Sequence, residues 1–292
     1  MRHVSIMNTT SNTIIHSERK TYKMNVPRRD FVKMTGAAAI GTAFAEVSAG
    51  TPHNNNPIVY PKIGIIGAMK SEVEELKKAA GVTEPFNCGG RDFFEGELGG
   101  VKVVIVECGI GKVNAALCAA TLIIKYNVSH IINTGVAGSL NNALNIGDIV
   151  VSVDAVQHDY DVSHIGFRKG EIPFTGKYAF EADESMRQNA LESAKEVLPN
   201  IGIIEGRIAS GDQFIASKEQ KERIINDFAA DCAEMEGAAV AQIAYLSQVP
   251  FVILRAISDK ADESAQMNFE EFQRQAAKNS ARLVEKMVPK FK

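Results

Sequence analysis

Glu72, Glu234, Glu236 and Asp259 stand where an acid is costly to keep. The run from Ala233 to Ala241 reads Ala-Glu-Met-Glu-Gly-Ala-Ala-Val-Ala, which sets two carboxylates inside a small, apolar stretch that otherwise has the character of a buried helix. An ionised carboxylate in a low-dielectric interior needs a partner, and no basic residue lies nearby in sequence. A polar ligand is one candidate; the other is a distant arginine such as Arg255. Glu72 follows the apolar run Ile63-Gly64-Ile65-Ile66-Gly67 and the turn Ala68-Met69-Lys70-Ser71, so it projects from a helix start at the end of a strand. There the helix dipole favours its ionised form, which suits a base that takes a proton from water and equally suits a simple dipole partner. Asp259 closes the apolar segment 249–259, which delivers Ser258 and Asp259 to the carboxyl end of a buried strand. A low dielectric there raises the carboxyl pKa and makes a proton donor, although a helix cap or a pair with Arg255 also accounts for the residue.

Other segments carry less. Gly64 to Gly67 lacks the third glycine of a dinucleotide fingerprint, and Cys108-Gly109-Ile110-Gly111-Lys112-Val113 lacks the spacing and hydroxyl residue of a phosphate loop. The segment Asn133 to Ser139 follows a strand, and its small residues let the backbone approach a flat or sugar-like ligand. Gln157-His158-Asp159-Tyr160-Asp161-Val162-Ser163-His164 holds metal-capable side chains, but no helix places them on one face. Hydrogen bonding within a loop explains them as well.

The elements that must position these residues alternate short β-rich runs with amphipathic helices, the pattern of an α/β layer fold. Strands are expected over 62–67, 93–97, 101–107, 130–134, 148–153, 203–210 and 251–257, with Gly99-Gly100 turning the second into the third. Helices are expected over 71–80, 112–126, 183–197, 218–228, 235–247 and 269–287. Ser71 is the expected cap of the first, and Asn268 with Glu271 forms a capping-box-like pair at the last.

With 292 residues, 45% hydrophobic and 23% charged, the chain has ample core for one globular domain. A formal net charge of -3 gives no general pull toward nucleic acid or anionic membranes, which favours a small-molecule partner. Cys88, Cys108, Cys118 and Cys232 show no CxxC spacing and are expected to be free thiols. Residues 1–49 resemble a twin-arginine export signal: Arg28-Arg29-Asp30-Phe31-Val32-Lys33 precedes a short Ala-rich apolar run, with small-residue cleavage expected after Ala45 or Ala49. That run is too short and small-sided to anchor in a bilayer. Residues 50–60 read as a linker and 61–292 as the folded domain, so the expected mature product is periplasmic, or cytoplasmic if the leader is unused.

The motifs Ile63 to Met69 with Glu72, Asn133 to Gly138, Ser210-Gly211-Asp212-Gln213-Phe214-Ile215, Glu234-Met235-Glu236 and Arg255 to Asp259 together resemble the 5'-methylthioadenosine/S-adenosylhomocysteine nucleosidases over about 62–288. The resemblance implies the nucleoside phosphorylase-like fold, a three-layer α/β/α domain around a mixed, partly closed sheet, and a homodimer. It implies that Glu72 activates the attacking water and Asp259 protonates the departing adenine, while Glu236 holds the ribose hydroxyls. Met235 would pack beneath the sugar, Phe214 would stack on adenine, and the Ile215 backbone would address its polar edge. Ala137, Gly138 and Ser258 would line the same pocket, Phe269 would cover the 5'-thioalkyl group, and Ile110 with the 162–167 loop would complete it, partly from the partner subunit. No cofactor or metal is implied. Val136 stands where some relatives carry Ser.

Cleavage of an N-ribosidic bond puts positive character on the sugar and negative charge on the base, so it needs a carboxylate to deliver water and an acid opposite it. Three rivals share parts of this reading. A purine nucleoside phosphorylase needs a cationic phosphate site, yet Arg91 is the only arginine between Lys62 and Tyr126. An aminofutalosine nucleosidase shares the adenosine half of the substrate. A periplasmic nucleoside-binding protein would retain Phe214 and Glu236 but need neither Glu72 nor Asp259.

Overall fold

β-Branched and small apolar residues dominate the strands that carry the site, and a computed structural model, which describes residues 61–291, buries them on both faces. In β1 (Lys62–Gly67), Ile63 and Ile65 face one hydrophobic cluster while Ile66 faces another. In β4 (Val101–Glu107), Val104 and Val106 divide from Val103 and Ile105 in the same way, as the two-residue period of a strand requires. One cluster lies beneath α1 (Lys70–Ala79), α3 (Glu184–Val197) and α6 (Ala265–Met287); the other lies beneath α2 (Lys112–Ile124) and α5 (Gly237–Ser247). A smaller cluster joins α4 (Lys218–Phe228) to the sheet. The result is three layers, helices against both faces of one sheet.

The remaining strands are β2 (Phe86–Cys88), β3 (Arg91–Leu98), β5 (His130–Ser139), β6 (Ile149–Gln157), β7 (Phe180–Glu181), β8 (Ile203–Ser210), β9 (Cys232–Glu234) and β10 (Phe251–Asp259). The sheet runs in the order β10-β6-β8-β9-β5-β1-β4-β3-β2, with β7 pairing β6 off this path, and β10 also pairs with β5. That extra pairing closes β5, β9, β8, β6 and β10 into a barrel-like ring from which β1 to β4 extend. The sheet is therefore mixed and partly closed, as expected. The long β5 makes the closure: Ile131 to Ala137 pair in parallel with β10, and its last residues Gly138 and Ser139 pair antiparallel with β9.

Several element limits differ from expectation. The Asn133 to Ser139 stretch is not a loop after a strand; it continues β5, because closing the ring needs pairing along the whole segment. Short β2, β7 and β9 were not expected, since three residues or fewer carry no readable period. Helix α6 starts at Ala265 with Ser264 in the cap position, so Asn268 lies inside the helix rather than at its cap. The expected leader over 1–49 and linker over 50–60 lie outside the described residues. Among the described residues no helix is long and apolar enough to cross a membrane. All four cysteines are free.

Candidate active site

The carboxyl ends of β1, β5, β8 and β10 meet the β9–α5 junction at a cleft. Glu72, Glu236 and Asp259 all line it, with Ile110, Ala137, Gly138, Phe214, Met235, Ser258 and Phe269. Ile215 lines an adjoining recess with Gln213, Phe214, Met235 and Asp259. The residues singled out in the sequence thus converge on one region from seven separate segments.

Glu72 is the third residue of α1, and its side chain folds back over the helix start. Its Oε2 accepts the N–H groups of Ala68 at 2.6 Å and Met69 at 2.8 Å, and its Oε1 accepts that of Val136 at 3.0 Å. Met69, not Ser71, occupies the cap position. Methionine offers no acceptor there, so the acid one turn in satisfies the free N–H groups instead, as the glutamate half of a capping box does. Three of the roughly four acceptor positions of this carboxylate are thereby filled, leaving one on Oε1. Burial raises the Glu72 pKa above the ordinary glutamate value, against the opposing pull of Arg255 and the three N–H groups.

Asp259 lies where β10 shifts register against β5. Its Oδ1 accepts the Ala261 N–H at 2.9 Å and its Oδ2 the Ser258 hydroxyl at 2.8 Å. Only 2% of the residue is exposed. Burial raises its pKa despite those two donors, which favours the neutral, proton-bearing form. Gly138 sits beside it, and a Cβ on Gly138 would come within 2.6 Å of Asp259 Oδ1. The small residues of β5 therefore make room for protein carboxylates, rather than for a ligand alone.

The two carboxylates of the Glu234-Met235-Glu236 run part company. They are not within a helix: Glu234 ends β9 and Glu236 is the cap residue of α5. Glu234 forms the expected pair with Arg255, receiving bonds from Nε at 3.1 Å and from Nη2, together with the Ser210 hydroxyl and the N–H groups of Glu236 and Gly237. Arg255 also donates to Asn133 Oδ1 at 2.6 Å. Glu236 is left facing the cleft, accepting the Gly111 N–H at 2.9 Å, with Arg255 Nη2 at 3.8 Å. Burial and the neighbouring Glu234 charge push the Glu236 pKa up to about 8.

The apolar part of the cleft is framed by Phe214, 45% exposed, whose ring meets that of Phe269 edge-on at 5.7 Å. Among the described residues no lysine or arginine lines the cleft. Arg91 instead donates to Asn114 at 3.0 Å. Among the described residues no group of three or more His, Cys, Asp or Glu side chains is arranged to hold a metal, and Gln157 and Asp159 are bonded to Lys112. Sequence reading missed the support from Ser210, Asn133 and the Gly111 N–H; the glycine just before an apolar helical period was the available signal for the last.

Comparison with known proteins bears on this site. The chain matches the phosphorylase superfamily over residues 62–289. It is 41% identical over 229 residues to a 5'-methylthioadenosine/S-adenosylhomocysteine nucleosidase of Geobacillus sp. (strain WCH70), covering 78% of this chain and 97% of the relative. It is 40% identical over 228 residues to the aminodeoxyfutalosine nucleosidase of Helicobacter pylori (strain ATCC 700392 / 26695), covering 78% and 97%. Its fold matches the crystal structure of the Neisseria meningitidis 5'-methylthioadenosine/S-adenosylhomocysteine nucleosidase in complex with methylthio-immucillin-A. The TM-score is 0.76 at 37% identity, over 78% of this chain and 99% of that one.

Proposed function

The chain belongs to the 5'-methylthioadenosine/S-adenosylhomocysteine nucleosidase family of the phosphorylase superfamily, and from that membership we propose how its own residues hydrolyse the N-ribosidic bond of these thionucleosides. The observation that carries the reading is the meeting of Glu72, Glu236 and Asp259 in one cleft from distant parts of the chain. Glu72 takes a proton from water through the acceptor position left on Oε1. Asp259, kept protonated by burial, gives its proton to the purine as it leaves. Glu236 orients the ribose hydroxyls and favours the electron-poor sugar of the transition state. Phe214 and Phe269 cover the purine and 5' ends, Met235 supports the sugar, and Ile215 meets the adenine edge. Water is the nucleophile in this reading because the described residues that line the cleft include none of the convergent cations that phosphate requires.

The test is to incubate the purified protein with methylthioadenosine, S-adenosylhomocysteine, adenosine and inosine, with and without phosphate. Free adenine and 5-thioribose products at rates independent of phosphate are expected. A ribose-1-phosphate-type product, or no base release, overturns the reading. The similarity to the Helicobacter pylori enzyme favours a second substrate, an aminodeoxyfutalosine, which shares the adenosine half, so it belongs in the same assay.

A homodimer is part of this reading. Val113, Leu117 and Ile124 are 81%, 42% and 82% exposed on one side of α2, an apolar stripe beginning next to Ile110 at the cleft mouth. A second copy covering this stripe would also screen Ile110. Sedimentation should give a dimer for the parent protein and a monomer for Leu117→Asp, with a higher KM in the variant. A parent protein that sediments as a monomer at micromolar concentration overturns this part.

A further inference from the structure

Gln157, His158 and Asp159 have no part in the chemistry above, yet they are tied to both lips of the cleft. Asp159 Oδ1 accepts from Lys112 Nζ at 2.5 Å, and its Oδ2 accepts the backbone N–H of Asp212 at 2.8 Å. Asp212 in turn uses its Oδ1 to accept the backbone N–H of Lys112 at 2.8 Å. These three bonds form a closed ring through three chain segments. Lys112 Nζ has a second acceptor, Gln157 Oε1 at 2.9 Å, whose amide donates to Gln242 at 2.6 Å. The ring rests on a tight contact: His158 N donates to Ser210 O at 2.9 Å, and a Cβ at Gly211 would come within 2.3 Å of the His158 ring.

What the ring joins is specific. Lys112 follows Gly111, whose N–H holds Glu236, and Ile110, which lines the cleft. Asp212 lies two residues before Phe214, the cleft's exposed aromatic platform. We propose that the Asp159–Lys112–Asp212 ring is a clasp that fixes the distance between the Phe214 platform and the Glu236 anchor, and so sets affinity for a purine joined to a ribose. This rests on the nucleosidase reading, because it takes the two lips as the base and sugar subsites. Asp159, Lys112 and Asp212 are positioning residues; none of them lines the cleft. The side chains of Lys112 and Asp159 are 16% and 17% exposed, so water screens their pair less than it would a surface pair.

The test compares the parent protein with Asp159→Ala, Lys112→Met, the isosteric Asp159→Asn and the charge-retaining Lys112→Arg. Adenine affinity is measured by calorimetry, steady-state kinetics with methylthioadenosine, and thermal unfolding as a control for folding. The first two variants should each weaken adenine binding and raise KM about tenfold while kcat falls less than about threefold. Combining them should add little, since either alone opens the ring. Lys112→Arg should restore most of the affinity. Asp159→Asn keeps the shape but only one of the two acceptor oxygens that Lys112 and the Asp212 N–H use, guards against misfolding of the alanine variant, and should give an intermediate KM. Unchanged adenine affinity and KM in folded variants overturn the clasp, as does a loss confined to kcat. If instead the parent protein releases no adenine, it is the nucleosidase reading that fails, and calorimetry with adenine still reports on the clasp.

Discussion

Replacing Asp259 by Asn should lower kcat for methylthioadenosine hydrolysis by about 10² to 10⁴-fold, the range a positioned general acid contributes, while adenine still binds. The amide keeps the shape, and its Oδ1 can still accept the Ala261 N–H while its NH2 donates to the Ser258 hydroxyl oxygen, but it has no acidic proton to give to the leaving purine. The pH dependence has a definite sign. Burial raises the pKa of Asp259, so the competent protonated form persists above the ordinary aspartate range and activity falls as pH rises through the raised value. Glu72 must be ionised to accept a proton, so activity also falls as pH drops through its own raised pKa, giving a bell-shaped profile. Stability follows the same linkage. A carboxyl whose folded pKa lies above its unfolded value contributes stability below the unfolded pKa and loses it as pH rises through the folded one. Asn has no such loss, so the variant should melt at or above the parent temperature at pH 8. A variant that retains at least a third of the parent kcat would remove Asp259 from the mechanism.

Replacing Arg255 by Met should destabilise the protein by about 3–5 kcal/mol, the cost of leaving one partner of a buried ion pair uncompensated. Glu234 would stay behind among Ser210, Gly237 and the apolar face of β10 with no cation. Burial opposes the charge on Arg255, but the surrounding Glu234, Glu236 and Glu72 carboxylates hold its pKa above the ordinary value, so in the folded state it remains a cation. Urea unfolding measures the loss. Pairing Arg255→Met with Glu234→Gln should recover part of it, because the orphaned charge is then gone. An unfolding free energy within about 1 kcal/mol of the parent, a loss below the range expected for a broken buried pair, would show that the pair is not what supports this floor of the cleft.

The strands with strong apolar runs were readable almost to the residue. β1, β4, β8 and helix α4 coincide with their expected limits, because continuous burial on both faces, or a sustained helical period, leaves little choice. Ser71 and Asn268 were misjudged as caps for one reason: capping depends on where the chain turns, and at Met69 a carboxylate from inside the helix does the work. The continuation of β5 past Thr134 escaped notice because its pairing partners, β9 and β10, are about a hundred residues away in the chain.

Residue types and local period determined which acids were costly to bury, that strands and helices alternate, and that Glu72 stands at a helix start after a strand and Asp259 at a strand end. Tertiary structure decided which acid is paired and which is not. Glu234 and Glu236 are chemically identical, separated by one residue and both at the cleft, yet Glu234 is neutralised by direct bonds from Arg255 while Glu236 accepts the Gly111 N–H and lies 3.8 Å from Arg255 Nη2. That division follows from the closed pairing of β5, β9 and β10, which brings the Arg255 guanidinium within reach of Glu234 and, among the described residues, leaves the Gly111 N–H as the partner of Glu236 at bonding distance. An electrostatic environment is a sum over neighbours in space, and for these carboxylates most of the neighbours are remote in sequence.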